Sequence, residues 1–581
     1  MSSTNTKLSQ VFQRMADVLE VLGENRFKVL AFQKAARVLG ELTEDVAQMD
    51  PQALRSIEGI GKGMADRIEQ FIRTGALTEA VDLFEQVPPG VVKMLDVPGL
   101  GPKTVSQLWR QAGIDSLESL SKALETGELE KLKGFGKKKI ENIKKNLAFA
   151  RQAGKRVRIG KALPLARWFV DQLKKLKPVR QIDFAGSLRR GKETIGDLDL
   201  LVAAKAEDAA AIMDVFVGLG VVNDVLARGD TKCSVRTDES AGGMRVDLRI
   251  VPESSYGAAL MYFTGSKEHN VRLRERAIAM GLKLNEWGLF KQGQDKALAG
   301  RTEREVYEAL GLDWIPPELR EDRGEIALAE HHELPDLLDI SDIKADLHMH
   351  TTASDGIWTI EQLALTAAGR GYHTVAVTDH SKSQFQANGL NESRLEKHIE
   401  TIRAVAQKLK GTITILAGSE VDILSDGRLD YPDSLLKELD VVVASPHAAL
   451  SQDPGKCTKR LLKAIENPYV TIIGHPTGRL IGRREGLSPN MPALFKAAAS
   501  RGIAMEINAN SWRLDLRDIH ARAAIEAGVK LAINTDAHGE ADLDQLIYGV
   551  LTARRAGVTK ADVINCMTEK QLADWLKSTR P

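Results

Sequence analysis

The sequence predicts a multidomain protein of the α/β class with a helical N-terminal region. Three observations predict it. At 581 residues the chain exceeds what one hydrophobic core fills, which implies three to five domains. Residues 1–150 repeat one pattern three times: an apolar residue, Gly-x-Gly, then an amphipathic helix. Beyond residue 344, short apolar strand-like runs alternate with helices, the pattern of a parallel barrel or open sheet.

Composition narrows the class. Hydrophobic residues make up 43% and charged residues 27%, ordinary for a globular protein. No apolar run approaches the ~20 residues that span a bilayer, so no membrane partner is expected. The start, MSSTNTKLSQVFQRMADVLE, lacks a signal-peptide pattern. Cys233, Cys457 and Cys566 lie far apart, which suits a reducing cytoplasm rather than a disulfide framework. The formal charge of +1 hides a block from Lys131 to Lys161 with twelve Lys or Arg and one acid, Glu141. Such a block favours a polyanion, because each phosphate contact releases counterions.

The N-terminal repeats are IEGIGKGMADRIEQF from Ile57, DVPGLGPKTVSQLWRQAG from Asp96 and LKGFGKKKIENIKKNL from Leu132. Each places a glycine pair (Gly59 and Gly61, Gly99 and Gly101, Gly134 and Gly136) at a helix start. There, free N–H groups and the positive helix end can hold a phosphate oxygen. The third copy adds Lys137 and Lys138. This pattern resembles the helix-hairpin-helix module, which grips DNA backbone without reading bases.

From Ile159 to Pro252 the texture is α/β, with a helix in PLARWFVDQLKKL, strands in QIDFAG, DLDLLVAA and MRVDLRIVP, and a further helix in EDAAAIMDVFVGLG. Its chemistry lies in AGSLRRGKETIGDLDLL and RVDLRI. Asp197 and Asp199 are two apart on one strand, so both carboxylates face the same way. Asp247 sits on a second strand that can lie alongside. Three convergent carboxylates suit two Mg²⁺ or Mn²⁺ ions in a phosphoryl transfer. Gly186 and Ser187 offer a close-approach turn, and Arg190 a charge for a triphosphate.

These residues resemble the nucleotidyltransferase superfamily, and more closely the family X DNA polymerases of the DNA polymerase beta type. The closer likeness rests on YFTGSKEHNVRLRERA from Tyr262 and LNEWGLF after it. The resemblance implies Asp197, Asp199 and Asp247 as catalytic metal ligands and Gly186, Ser187, Arg190 and Gly196 as triphosphate contacts. It also implies Tyr262, Phe263 and Gly265 along the sugar, and Asn270 and Arg274 facing the nascent pair. Two departures stand out. Lys267 occupies a position where relatives can carry an acid. Arg67 stands where relatives with deoxyribose-phosphate lyase activity place a Schiff-base lysine. Arginine stays protonated and forms no imine, so the main lyase route is expected to be absent, although Lys28 matches another lysine of that pocket.

The C-terminal region gathers histidines and acids at strand ends. DLHMHTTASDG holds His348, His350 and Asp355. His380, Glu420, His447 and His475 follow, and INTDAH closes the series with Asp536 and His538. Strand ends are where an α/β barrel displays its reactive groups. Nine mixed imidazole and carboxylate ligands suit up to three ions of Zn²⁺, Mn²⁺ or Fe²⁺. His373, His398 and His520 are set apart, the last two as helix-surface residues, and His331 and His332 as linker. The basic GRLIGRREG after His475 offers Arg479, Arg483 and Arg484 to a phosphate backbone. About residues 344–575 resemble the PHP (polymerase and histidinol phosphatase) domain, which implies a distorted (β/α)7 barrel with a trinuclear phosphoesterase site.

The expected organisation is a helical DNA-binding domain over 1–85, helix-hairpin-helix fingers over 86–158 and a nucleotidyltransferase palm over 159–252. A thumb-like nucleotide-pocket unit over 253–320, a linker over 321–343 and a PHP domain over 344–575 follow. The combination resembles the bacterial PolX type. It implies a DNA-directed, gap-filling polymerase of base excision repair, acting on gapped or nicked duplex with deoxynucleoside triphosphates. The barrel would add a 3′–5′ exonuclease, with 3′-phosphatase or abasic-site endonuclease activity as further options. A monomer in the bacterial cytoplasm, at the nucleoid, is expected. Two rivals stay open: a template-independent or RNA nucleotidyltransferase, and a DNA-end-binding protein whose barrel hydrolyses only small phosphate esters.

Overall fold

The computed structural model describes residues 3–581 apart from 43–44, 58, 96, 98–99, 133, 137–138, 141–142, 145–155 and 295. The chain forms two compact units, Met1–Arg156 and Val157–Pro581.

The first unit is helical. Helices Ser3–Leu22 and Arg26–Glu41 pack through Phe12 and Phe32, whose rings meet edge-on at 5.5 Å. Their tight link is set by Gly23 (φ +74°) and by Asn25, whose side chain caps the second helix by accepting from the Phe27 N–H. Each buried Phe or Leu here contributes ~1.5–3 kcal/mol. Helices Lys62–Thr74 and Pro102–Ala112 start alike. Gly61 and Gly101 are their N-caps, with φ/ψ of −71°/167° and −69°/163°, and neither start has a side-chain cap. Gly99, Lys137 and Lys138 lie outside the described residues.

In the second unit, a five-stranded sheet has the order Gln181–Phe184, Asp197–Ala203, Arg245–Val251, Lys232–Thr237, Val222–Arg228. Only the pair Asp197–Ala203 and Arg245–Val251 is parallel. Period-two alternation sends Leu198, Leu200 and Val202 into a core with helices Ile159–Lys174 and Ala209–Val217. Leu201 and Ala203, on the face shared with Asp197 and Asp199, pack on Tyr256, Ala259 and Leu260 of helix Tyr256–Thr264. The hairpin Val222–Thr237 was not among the expected strands. Its outer strand, NDV at its centre exposed, lacks the apolar alternation that marks a strand. A three-stranded antiparallel sheet, Leu282–Asn285, Gly288–Lys291 and Ala297–Ala299, follows.

The C-terminal part is a barrel of seven parallel strands in chain order: Ala345–Met349, Thr374–Val377, Thr414–Asp422, Val441–Ser445, Ile472–Ile473, Ala504–Asn508 and Lys530–Asn534. A parallel bridge between Met349 and Ala537 joins last to first. Buried on both faces, these strands read as the continuous apolar runs seen in the sequence.

The stretch 321–343, expected to be a flexible linker, is instead packed. It holds a helix, Glu325–Glu330, and buries Ala329 and Leu338. Its acids serve as ion-pair partners: Glu321 for Arg190, Lys192 and Arg555, Glu325 for His269. An acidic segment without periodicity is therefore ordered by cations of its neighbours. No helix among the described residues is long and apolar enough to cross a membrane.

Candidate metal centres

The first centre is the carboxylate trio. Asp199 lies directly opposite Asp247 across the parallel strand pair, and Asp197 opposite Arg245. The chain approaches Asp199 through Gly186, which has φ +63°. A Cβ there would fall 2.4 Å from Asp199 Oδ2, so glycine is required on both counts. Burial, with Asp197 and Asp247 close by, pushes the Asp199 carboxyl up to about 7. Burial acts on Asp247 in the same sense, but Arg245 (2.8 and 2.9 Å) and Lys232 (2.8 Å) hold it below the usual range. Among the described residues, sets of three or more ligand atoms mutually within 4.8 Å occur only in the barrel. Here Asp247 is turned to its cationic neighbours. An all-oxygen donor set that proteins balance with ammonium and guanidinium groups fits a hard divalent ion.

Around the trio, Gly196 is exposed just before Asp197, and Ser187 is half-buried. Tyr262 and Phe263 meet edge-on at 5.2 Å, with the Arg249 guanidinium 4.4 Å from the Phe263 ring centre. Gly265 (φ +69°) ends their helix, and a Cβ there would meet Arg190 Nη1 at 3.2 Å. Three expected substrate contacts are engaged within the fold. Arg190 pairs with Glu321 at 3.0 Å and donates to the Thr264 carbonyl at 2.5 Å. Asn270 donates to the Tyr262 carbonyl at 2.7 Å, leaving its buried Oδ1 without a partner, and Arg274 donates to the Asn270 carbonyl.

The second centre brings all nine expected barrel residues together. Glu420, buried in the third barrel strand, is the hub. His475 Nε2 lies 2.8 Å and His447 Nε2 3.3 Å from its Oε1; His380 Nδ1 lies 2.9 Å, His348 Nε2 3.4 Å and His350 Nε2 3.6 Å from its Oε2. Asp536 Oδ1 approaches His350 Nε2 at 3.1 Å. Asp355 Oδ2 lies 3.4 Å from His538 Nε2 and 3.7 Å from His380 Nε2. His348, His350, Glu420 and His475 form a fully buried floor, while Asp355 and His538, each a third exposed, form the mouth.

The donor set fits metal ions. His348 Nε2, His350 Nδ1, His380 Nδ1, His475 Nδ1 and Glu420 Oε2 are buried without a hydrogen-bond partner, a costly arrangement unless a cation satisfies them. Burial opposes a charge on His348, yet Glu506, Glu420 and Asp536 hold its pKa well above the usual value. Against burial, Glu420 with Asp422 and Asp355 with Asp536 push His447 and His538 up to about 9. The carboxylates thus demand positive charge, which protons meet when metal does not.

A surrounding layer orients these ligands. His348 Nδ1–H donates to Glu506 at 2.8 Å, aiming Nε2 into the cluster, and His447 Nδ1–H donates to Asp422. Asp379 accepts from Thr351, Ser354 and His398 Nε2 (2.8 Å). His475 (φ +22°) and Asp536 (φ +56°) have positive φ, which costs on the order of 1–3 kcal/mol each. Glu506 accepts the His475 N–H at 2.8 Å, and Asn508 donates to Asp536 at 3.1 Å, holding both. Glu506, Asp422, Asp379 and His398 were missed in the sequence. For the three acids the signal was a carboxylate inside or just after an apolar strand; His398, on helix Glu392–Lys408, had none. His398 and His520 are buried rather than on a helix surface. Arg479 and Arg484 are likewise used within the protein, Arg479 on Glu193 (2.7 Å) and Arg484 on the Gly478 carbonyl (2.7 Å).

In the helical unit, Gly59 (φ +97°) and Gly134 (φ +88°) turn the chain before Gly61 and Gly136. The space beside the Cα atoms of Gly61, Gly101 and Gly136 is open. Arg67 is held by Glu79 at 2.5 Å, with Lys28 3.5 Å from the same carboxylate.

Known proteins resemble the chain along its length. A Helix-hairpin-helix domain model matches residues 3–77, a SAM-like Helix-hairpin-helix tandem 91–148, a DNA polymerase beta thumb 259–321 and a PHP domain 346–510. The DNA polymerase/3′-5′ exonuclease PolX of Bacillus subtilis (strain 168) is 38% identical over 568 residues, 98% of each chain. A probable phosphatase of Thermoanaerobacter sp. (strain X514) is 31% identical over 246 residues, 40% of this chain and 95% of its own. DNA polymerase lambda of Arabidopsis thaliana is 25% identical over 346 residues, 54% of this chain and 62% of its own.

Proposed function

Because the chain belongs to the PolX family, the bacterial family X DNA polymerases with a C-terminal PHP domain, we propose that it is a gap-filling repair polymerase whose barrel removes nucleotides from 3′ ends. The observation that carries the exonuclease is the gathering of all nine expected residues in one cluster, with five histidines on the buried Glu420 carboxylate and an open mouth at Asp355 and His538. A PHP barrel kept only as a structural support has no need of that set.

Two Mg²⁺ or Mn²⁺ ions at Asp197, Asp199 and Asp247 would neutralise charge on the transferred phosphate and acidify the 3′-hydroxyl. The chain's own part is to hold Asp199 opposite Asp247, keep the Gly186 turn against them, and bring Arg190 to the triphosphate by releasing Glu321. Tyr262 and Phe263 would exclude a bulky group at C2′. In the barrel, up to three Zn²⁺, Mn²⁺ or Fe²⁺ ions would supply an activated water and hold a phosphate. Glu506 and Asp422 fix the rings of His348 and His447, and Asp355 and His538 face incoming substrate. The glycine-led helix starts would hold duplex backbone beside a gap or nick. The working form is a cytoplasmic monomer.

A second reading, hydrolysis of small phosphate esters alone, is favoured by the likeness to proteins named probable phosphatases. One experiment separates the two. With a 3′-labelled gapped duplex and Mn²⁺, the protein is expected to fill the gap when deoxynucleotides are present and shorten the 3′ end when they are absent. Hydrolysis of p-nitrophenyl phosphate with intact DNA ends would establish the second reading instead.

A further inference from the structure

The arginines that tie the palm to the barrel end on carboxylates. Arg479 and Arg517 meet Glu193 at 2.7 and 3.5 Å, and Arg555 meets Glu321 and Asp518 at 2.9 Å each. Two others do not. Arg158, in the two-residue strand Val157–Arg158 that pairs with palm residues Thr194–Ile195, and Arg483, on the loop after His475, both lie over the ring of Trp512, Arg483 at 4.0 Å from its centre. Neither has an acid within ion-pair distance among the described residues.

Their position is built, not incidental. Palm residue Gly160 sits on the loop that carries Trp512 so closely that a Cβ would fall 2.3 Å from Ser511 Oγ. The Ile481 N–H donates to the Trp512 carbonyl at 2.7 Å, which ties the two loops together. Trp512 is followed by Arg513, whose Nε lies 3.7 Å from the barrel ligand Asp536 and whose Nη1 is buried without a partner. From the arginine pair to the cluster is therefore one residue along the chain.

A guanidinium drawn to an indole by cation–π attraction can still offer N–H groups to an anion. Like charges at that separation repel, and burial together with Arg483 lowers the Arg158 pKa to about 10. An anion that both can grip relieves that repulsion, and guanidinium edges match phosphate oxygens. A polynucleotide bound at the cluster carries further phosphates beyond it, and a small ester carries none.

We propose that Arg158 and Arg483, seated on Trp512, bind the phosphodiester backbone of the single DNA strand whose 3′ end enters the barrel cluster, so that the palm supplies half of the exonuclease's strand grip. This rests on the reading of the barrel as a 3′ exonuclease.

The test compares the full-length protein with the double variant Arg158→Gln/Arg483→Gln on a 3′-labelled oligodeoxynucleotide across a salt series, with p-nitrophenyl phosphate in parallel. Losing two phosphate contacts at ~0.7 each makes the plot of log kcat/KM against log salt shallower by about 1.4 and costs roughly tenfold near 0.15 M. Turnover of p-nitrophenyl phosphate stays unchanged, and the double Arg→Lys variant recovers most of the slope. An unchanged slope on the oligonucleotide overturns the inference, as does an equal loss on both substrates. If the unaltered protein hydrolyses the ester but leaves the oligonucleotide intact, the exonuclease reading itself has failed. If it shortens the oligonucleotide and the variant matches it, only this inference has.

Discussion

The palm trio and the barrel cluster both gather carboxylates that need positive charge, and they obtain it differently. In the palm, Arg245 and Lys232 sit on Asp247, and Asp199 is pushed toward neutrality by burial beside two other acids. In the barrel, imidazoles surround Glu420, several buried nitrogens lack any partner, and outer carboxylates already aim the rings. On the proposed function, the palm would take hard ions together with a substrate and release them, and the barrel would keep its ions. Preorganised ligands lose little entropy on binding, whereas carboxylates drawn from protein cations must first give up those partners.

The largest effect that can break this comparison is at the palm. Asp199→Asn is expected to lower gap filling by on the order of 10³-fold or more, the scale of removing a transition-state charge partner. Primer extension read beside 3′-end shortening checks it, and shortening should persist. Next comes the claim of retained metal. Glu506→Gln touches no ligand position but frees the His348 ring, and should weaken barrel metal affinity ~10–100-fold, read as metal content after dialysis against a chelator. Equal loss of metal from the unaltered protein and the variant would remove the contrast.

A smaller effect concerns how the two centres are joined. Glu193 of the palm meets Arg479 and Arg517 of the barrel. Burial acts to raise its pKa, but the two guanidiniums bring it down from 4.5 to about 2. With the folded value below the unfolded one, the contribution is complete above about 4.5 and is lost as pH falls toward 2. Glu193→Gln should cost about 2 kcal/mol, the scale of a charged hydrogen bond, and flatten the acid limb of thermal stability. The smallest expected effect is a blank. With Arg67 held by Glu79, borohydride should trap no imine with an abasic-site duplex, and Arg67→Lys should create a trappable lysine beside Lys28.

The two centres were not equally legible. The nine residues that meet in the barrel could be picked out because each sits in or beyond an apolar strand, and a parallel barrel gathers such ends at one face. Their orienting partners could not. The pair His348–Glu506 joins positions 158 residues apart, which only the assembled barrel brings together, and His398–Asp379 depends on how a helix packs back on the strand before it. In the palm, the alternation of Asp197 and Asp199 was visible, but their relation to Asp247 depends on register with a neighbouring strand. The hairpin Val222–Thr237, with its exposed outer strand, and the packed stretch 321–343 escaped for one reason. Both owe their order to neighbours rather than to an apolar period of their own.

The central claim is that one chain carries two separable centres of opposite effect on a 3′ end. Crossed variants on a single gapped, 3′-labelled duplex with Mn²⁺ test it most directly. Asp197→Ala with Asp199→Ala should abolish extension and leave shortening, and His348→Ala with Asp355→Ala should do the reverse. Loss of both activities from either pair alone would contradict two independent centres.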